Sequence, residues 1–190
     1  MVNITGELVA LGPLLRDLVP LYQRWMNDLV TARNLGRVGP LTHKAEQAWY
    51  DRAALSETNA SFTIYDRATM QPVGTAQLMD IRHRNRRADF GISIGEPEFR
   101  GRGYGTEATQ LMLDYAFTVV GLHNVALTVA EFNPAGIRAY KKAGFREFGR
   151  RKECWLMNGR LWDEIHMQCL STWFESPVLG KLFAPEDPRT

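Results

Sequence analysis

The sequence predicts an α+β fold (mixed α/β), with a central, largely antiparallel sheet of about seven strands flanked by about four helices. Three observations carry this expectation. Apolar residues recur at three- and four-residue spacing in the predicted helices. Period-two or short continuous apolar runs, bounded by Gly, Pro or Asn, mark the strands. Between two strands of the second half lies a long helix opened by a Gly-rich loop.

Composition bounds the rest. The chain has 190 residues, 45% hydrophobic and 23% charged, with a net charge of +2. That excludes a disordered chain, a collagen-like chain and a disulfide scaffold. The length suits one core, read as one domain over residues 1–175 with a C-terminal tail over 176–190. A charge of +2 is too balanced to announce nucleic-acid binding. The two cysteines, Cys154 and Cys169, suit a reducing compartment. The start shows no basic-then-apolar leader, and the uncharged stretch 115–130 falls short of a membrane span. A cytoplasmic protein is expected.

In chain order, residues 7–14 read as the first strand. Leu15, Leu18, Leu21, Tyr22, Trp25, Met26 and Leu29 predict one amphipathic helix ending before Gly36. Thr42 caps a second helix with Ala45, Ala48, Trp49 and Ala53 on one face. Residues 61–65 and 73–81 read as strands around a turn at Gln71-Pro72. The connector 82–87, with four arginines, reads as a solvated hairpin tip before a strand over 88–95. A helix over 106–120, a buried strand over 125–130 and a helix over 134–143, stopped by Gly144, follow. Strands 153–157 and 161–170 flank Asn158-Gly159, a two-residue hairpin turn. An unbroken hairpin places Cys154 opposite Asp163 and Cys169 opposite Phe148, so two free thiols are expected. The tail from Ser176, with three prolines, is expected to be loosely ordered.

The strongest local signal is Arg100-Gly101-Arg102-Gly103-Tyr104-Gly105-Thr106 between strand and helix. Glycines permit close backbone approach, helical N–H groups point into the loop, and two arginines add charge, which suits a pyrophosphate. A solvated turn is the plainer alternative. The loop lacks the Lys-Ser/Thr ending of a triphosphate loop and the two-residue gap of the dinucleotide fingerprint. Gly91-Ile92-Ser93-Ile94-Gly95 matches a nucleophile elbow in letters only, because no helix follows the serine. The four histidines have no metal-ligand spacing, so no metal site is expected.

Two motifs carry a resemblance. Residues 88–170 are similar to the acetyl-CoA-binding core of the GNAT N-acetyltransferase superfamily. Arg100 to Gly105 resembles its Gln/Arg-x-x-Gly-x-Gly/Ala loop, and Asn133 to Phe145 resembles Asn-x-x-Ala-x-x-x-Tyr-x-x-x-Gly-Phe. Gly136 departs from the usual alanine. The hairpin Trp155 to Arg160 and Trp25-Met26-Asn27-Asp28 are similar to the branch of ribosomal-protein N-terminal and spermidine acetyltransferases.

The resemblance implies a GNAT-like sheet in which parallel strands 4 and 5 splay apart, with acetyl-CoA as cosubstrate and an amine as acceptor. It implies that Ile92, Ser93 and Ile94 pair with the pantetheine arm. Arg100, Gly101, Arg102, Gly103, Tyr104, Gly105 and Thr106 would hold the pyrophosphate. Asn133, Arg138, Tyr140, Lys141 and Lys142 would face the rest of the cofactor. Tyr140 takes the position of the family's general acid, although by its residues alone it reads as a core tyrosine beside Ile137. Asp89 takes an acidic position at the strand start and reads equally as a solvent-facing carboxylate. The competing class is a non-catalytic acyl-CoA-binding or ribosome/RNA-associated module. A homodimer or larger oligomer is expected, because residues 106–120 carry two apolar stripes, Leu111-Tyr115-Val119 and Leu113-Phe117-Val120. A polyamine acceptor would want several carboxylates, with Asp28, Glu46, Asp51 and Glu57 as candidates; a solvated helix face explains them equally.

Overall fold

The computed structural model describes residues 2–37 and 39–184. Strands β1 (Ile4–Thr5), β2 (Val9–Pro13), β3 (Ala60–Asp66), β4 (Pro72–Arg82), β5 (Arg87–Ile94), β6 (Asn124–Ala130), β7 (Arg146–Met157) and β8 (Arg160–Leu170) form one sheet. Their order is β1-β2-β3-β4-β5-β6-β8-β7. Only β5 and β6 pair in parallel; the other neighbours are antiparallel. These two are the expected splayed strands. They stand one place later because β1 adds an eighth strand, too short to show a period in sequence.

Helices α1 (Val19–Asn27), α2 (Leu29–Asn34) and α3 (His43–Ala54) lie on one face, where the Tyr22 hydroxyl meets Thr63 Oγ1 at 2.6 Å. On the other face α4 (Tyr104–Asp114) and α5 (Pro134–Ala143) bury Leu111, Met112, Leu113 and Phe145 in the main core. The helix expected over residues 15–29 is broken. Asp28 is extended (ψ 124°), and its carboxylate accepts from the Thr31 N–H at 2.9 Å. A short carboxylate that caps the next helix offers the backbone an alternative to continuing the first.

The other expected long helix also changes course. Regular α4 ends at Asp114, and Tyr115–Val119 continues as a wide π-type turn. The buried Asp114 carboxylate accepts from Thr118 Oγ1 (2.9 Å), Ser176 Oγ (2.6 Å) and the N–H groups of Val178 (3.0 Å) and Leu179 (2.8 Å). These bonds dock α6 (Leu179–Leu182) on the protein, with Leu179 in the core and Phe174 against Phe117 at 5.4 Å. The tail is therefore tied down over Ser176–Leu179, against the expectation of looseness; residues 185–190 lie outside the described residues. Phe117 is covered by this chain itself, which removes the apolar-stripe reason for expecting a partner copy.

The final hairpin turns at Asn158-Gly159 as expected, with Met157 opposite Arg160. Its register then slips between Trp155 and Arg151 and again between Gly149 and Glu147, so Cys169 is not opposite Phe148. Bulges insert unpaired residues and shift every later pair. Both cysteines are free thiols, Cys154 exposed and Cys169 buried. Among the described residues no helix is long and apolar enough to cross a membrane.

Candidate active site

Strands β5 and β6 pair only over Arg87–Asp89 with Asn124–Ala126. Beyond that point a cleft of about 900 Å³ lies between them, floored by both strands and bordered by α2, α5 and the Gly-rich loop. Side chains alternate across β5. Ala88, Phe90, Ile92 and Ile94 face the core and α4, whereas Asp89, Gly91 and Ser93 face the side of α2.

Of the residues singled out from sequence, Asp89, Ile92, Ser93, Ile94, Arg100 and Gly101 line this cleft. So do Gly103, Gly105, Thr106, Asn133, Arg138, Tyr140 and Lys142. Arg102, Tyr104 and Lys141 do not. Tyr104 turns inward, and its hydroxyl donates to Asp66 Oδ1 at 2.7 Å, fastening the start of α4 to the β3–β4 turn. Arg102 Nη1 donates to the Glu98 carbonyl at 3.3 Å. Ser93 sits mid-strand opposite Thr75, not at an elbow.

The loop glycines are explained by geometry. Gly101 and Gly103 hold φ of +72° and +95°, the left-handed region that glycine takes without penalty. Gly103 opens α4 with no side-chain cap. The first N–H groups of α4 therefore have no acceptor within the helix, and Gly103, Gly105 and Thr106 line the cleft. The Arg100 guanidinium is committed elsewhere. It donates to the carbonyls of Ile94 (2.9 Å) and Gly95 (2.8 Å), to Thr31 Oγ1 (3.0 Å) and to Asp28 (3.1 Å). It joins the start of α2 to the end of β5, so the expected charge on a phosphate is not where this side chain points.

On α5, the Asn133 side chain accepts from the Gly136 N–H at 3.0 Å as the helix cap. A methyl at Gly136 would lie 2.7 Å from Asn133 Nδ2 and 3.1 Å from its Cγ, so the cap would have to shift. Tyr140 packs edge-on against Phe90 and Phe145, with centroids at 6.4 and 6.0 Å. Its hydroxyl makes no hydrogen bond among the described residues, and burial alone pushes its pKa up to about 12. Tyr140 is thus part of the core by its ring and part of the cleft by its edge, and it remains protonated at any physiological pH.

Several lining residues carry no signal in the sequence. Val30 comes from α2, Met79 from β4, Arg87 from β5, Phe148 and Trp155 from β7, and His166 from β8. Trp155 leans on Gly36 and donates its indole N–H to Glu164 at 3.3 Å. Leu35, which caps the end of α2, also lines the cleft. Trp25 is buried beside Glu96, and Asp28 is the α2 cap.

The acetyltransferase (GNAT) domain family matches residues 9–146. Spermidine N(1)-acetyltransferase of Vibrio cholerae is 32% identical over 123 residues, 65% of this chain and 70% of that enzyme. Its counterpart in Escherichia coli K12 is 33% identical over 118 residues, and the chain spans 62% of that enzyme's length. The crystal structure of the Vibrio cholerae spermidine N-acetyltransferase with CoA and spermine superposes with a TM-score of 0.81 at 26% identity, covering 88% of this chain and 98% of that one. A dodecameric structure of the same enzyme matches with a TM-score of 0.73. With the splayed strands, the Gly loop and the Asn133–Phe145 motif all in place, the chain belongs to the GNAT acetyltransferase family and is an N-acetyltransferase that uses acetyl-CoA.

Proposed function

We propose that acetyl-CoA lies along the open edge of β5, its pyrophosphate on the amide groups of residues 103–106, and that Tyr140 serves the departing sulfur. The observation that carries this is that Tyr140 lines the cleft with its hydroxyl unbonded among the described residues. The residues fit the donor: unspent amides at the start of α4, Arg138 and Lys142 beside them, and the free edge of Ile92–Ile94. The amine reaches the thioester from the α2 side, where Asp89 stands at the closed end of the split.

In this reading the amine nitrogen attacks the acetyl carbon, the C–N bond forms and the C–S bond breaks. Of the three ammonium protons, one leaves through Asp89 or water, one stays on the amide and one ends on sulfur. A phenol pushed up to about 12 is a far weaker acid than a thiol near 8.5, so full transfer from it to the thiolate is uphill. The phenol therefore acts as a hydrogen bond that strengthens as charge gathers on sulfur. Transfer completes as the nitrogen's surplus proton is passed on.

Turnover of acetyl-CoA with a panel of primary amines separates this reading from a non-catalytic binding module. The loop assignment has its own test. Gly103 is unsuited to it, because φ of +95° would strain any side chain and Leu8 Cδ1 lies 3.2 Å from an added Cβ. Gly105 has ordinary helical backbone, and an added Cβ meets only Ile94 Cγ1 at 3.7 Å. Gly105→Val should fold and weaken acetyl-CoA binding at least about tenfold in calorimetry, since it obstructs the helix start. Unchanged affinity in the folded variant would refute the loop assignment.

The protein is also read as a homo-oligomer, supported by the dodecameric relative. Light scattering at micromolar concentration should give at least a dimer, and a monomer removes the idea. The two free thiols suit a cytoplasmic setting.

A further inference from the structure

The α2 side of the cleft is apolar and carries mixed charge. Val30, Leu35, Met79, Phe148 and Trp155 supply the apolar walls. Asp89 is the carboxylate among the described lining residues, and Arg87 stands two positions before it on the same face of β5. The β4–β5 connection adds Arg84 and Arg86 at the same closed end, and Arg82, which ends β4, is paired at 2.8 Å with Asp80, a carboxylate that also lies near Arg87.

The carboxylates suited to a polyamine are occupied elsewhere. Asp28 holds the Thr31 N–H and Arg100. Asp51 pairs with Arg16 at 2.9 Å. Glu46 is buried on α3, and Glu57 lies exposed after α3. Glu164, on the cleft face of β8, already accepts from Trp155 and lies 3.3 Å from His166 Nε2. A chain of three or four ammonium groups entering here would meet one open carboxylate and the neighbouring guanidinium of Arg87. One ammonium on an apolar body meets a carboxylate and five apolar side chains.

Resting on the reading of the cleft given above, we propose that the acceptor is a primary amine with a single positive charge and an apolar body. Arg87 is the residue that disfavours polyamines. Like charges a few ångströms apart near a protein surface repel strongly enough for this, and salt weakens the effect.

The test compares kcat/KM for leucinamide, phenylalaninamide, spermidine and spermine, in the full chain and in Arg87→Glu. The two amides should exceed spermine at least about tenfold. Arg87→Glu should raise kcat/KM for spermine about tenfold at low salt and clearly less at about 0.5 M salt, while leucinamide changes far less. Arg87→Gln, which keeps size and removes charge, should fall between, and serves if the Glu variant melts early. Spermine as the best acceptor of the unaltered chain, or a spermine-to-leucinamide ratio unmoved by both variants, overturns the proposal while leaving the acetyltransferase reading intact. Acetylation of none of the four likewise overturns the proposal, and transfer to another amine of the panel keeps the acetyltransferase reading.

Discussion

Tyr140→Phe should lower kcat by about 10²- to 10⁴-fold with acetyl-CoA affinity nearly unchanged, because general acid–base groups contribute in that range. Phenylalanine keeps the ring contacts with Phe90 and Phe145, so the packing role survives and only the hydroxyl is lost. An interaction made mainly in the transition state shows in kcat, not in donor binding. A core tyrosine without chemistry would instead leave turnover near wild type. A fall of less than about threefold, with chemistry shown to limit the rate, would sink the assignment. The pH profile adds a second readout. A phenol pushed up to about 12 stays protonated through the working range, so Tyr140 should add no alkaline limb below about pH 11.

Trp25→Ala should destabilise the fold by about 3 to 5 kcal/mol, the usual range for emptying a buried aromatic site. Trp25 is only 1% exposed and centres a small second core with Val19 and Tyr22. Its ring lies against Gly95, where an added Cβ would collide with the indole. Its N–H donates to Glu96 Oε1 at 2.9 Å, and Arg24 pairs with the same carboxylate. Losing the indole thus leaves a cavity and strips a buried carboxylate of one donor. Trp25→Phe, which fills most of the space, should cost clearly less. Urea unfolding measures both; a loss below about 1.5 kcal/mol for the alanine variant would show that α1 contributes little to holding the end of β5.

Elements with a strong period or a specific turn were legible in the chain. The helix over Pro134–Ala143 stops at Gly144, whose φ of +113° is the left-handed stop expected of it. Asn158-Gly159 takes positive φ at both residues, as a tight hairpin needs. The Gly loop that opens α4 and the motif that holds Tyr140 were each legible as local runs, and the parting of β5 from β6 sets them in one cleft. Where tertiary contacts competed with local preference, the sequence misled. Asp28 broke a continuous apolar stripe by capping α2, and Asp114 drew in a tail that composition alone read as loose. The β7 bulges moved Cys169 away from its counted partner.

By itself, then, the sequence determined the fold class, the family, the Gly-rich loop before α4 and the Asn133–Phe145 motif that holds Tyr140, because each of those signals is confined to a short run of neighbouring residues. Tertiary structure alone decided that Arg100 ties α2 to the end of β5, that Tyr104 turns into the core, and that Arg87, Trp155 and His166 face the cleft. These facts depend on side chains from distant strands meeting across a sheet. Strand order, bulges and the direction of each pleat set that meeting, and none of them is written in the spacing of neighbouring residues.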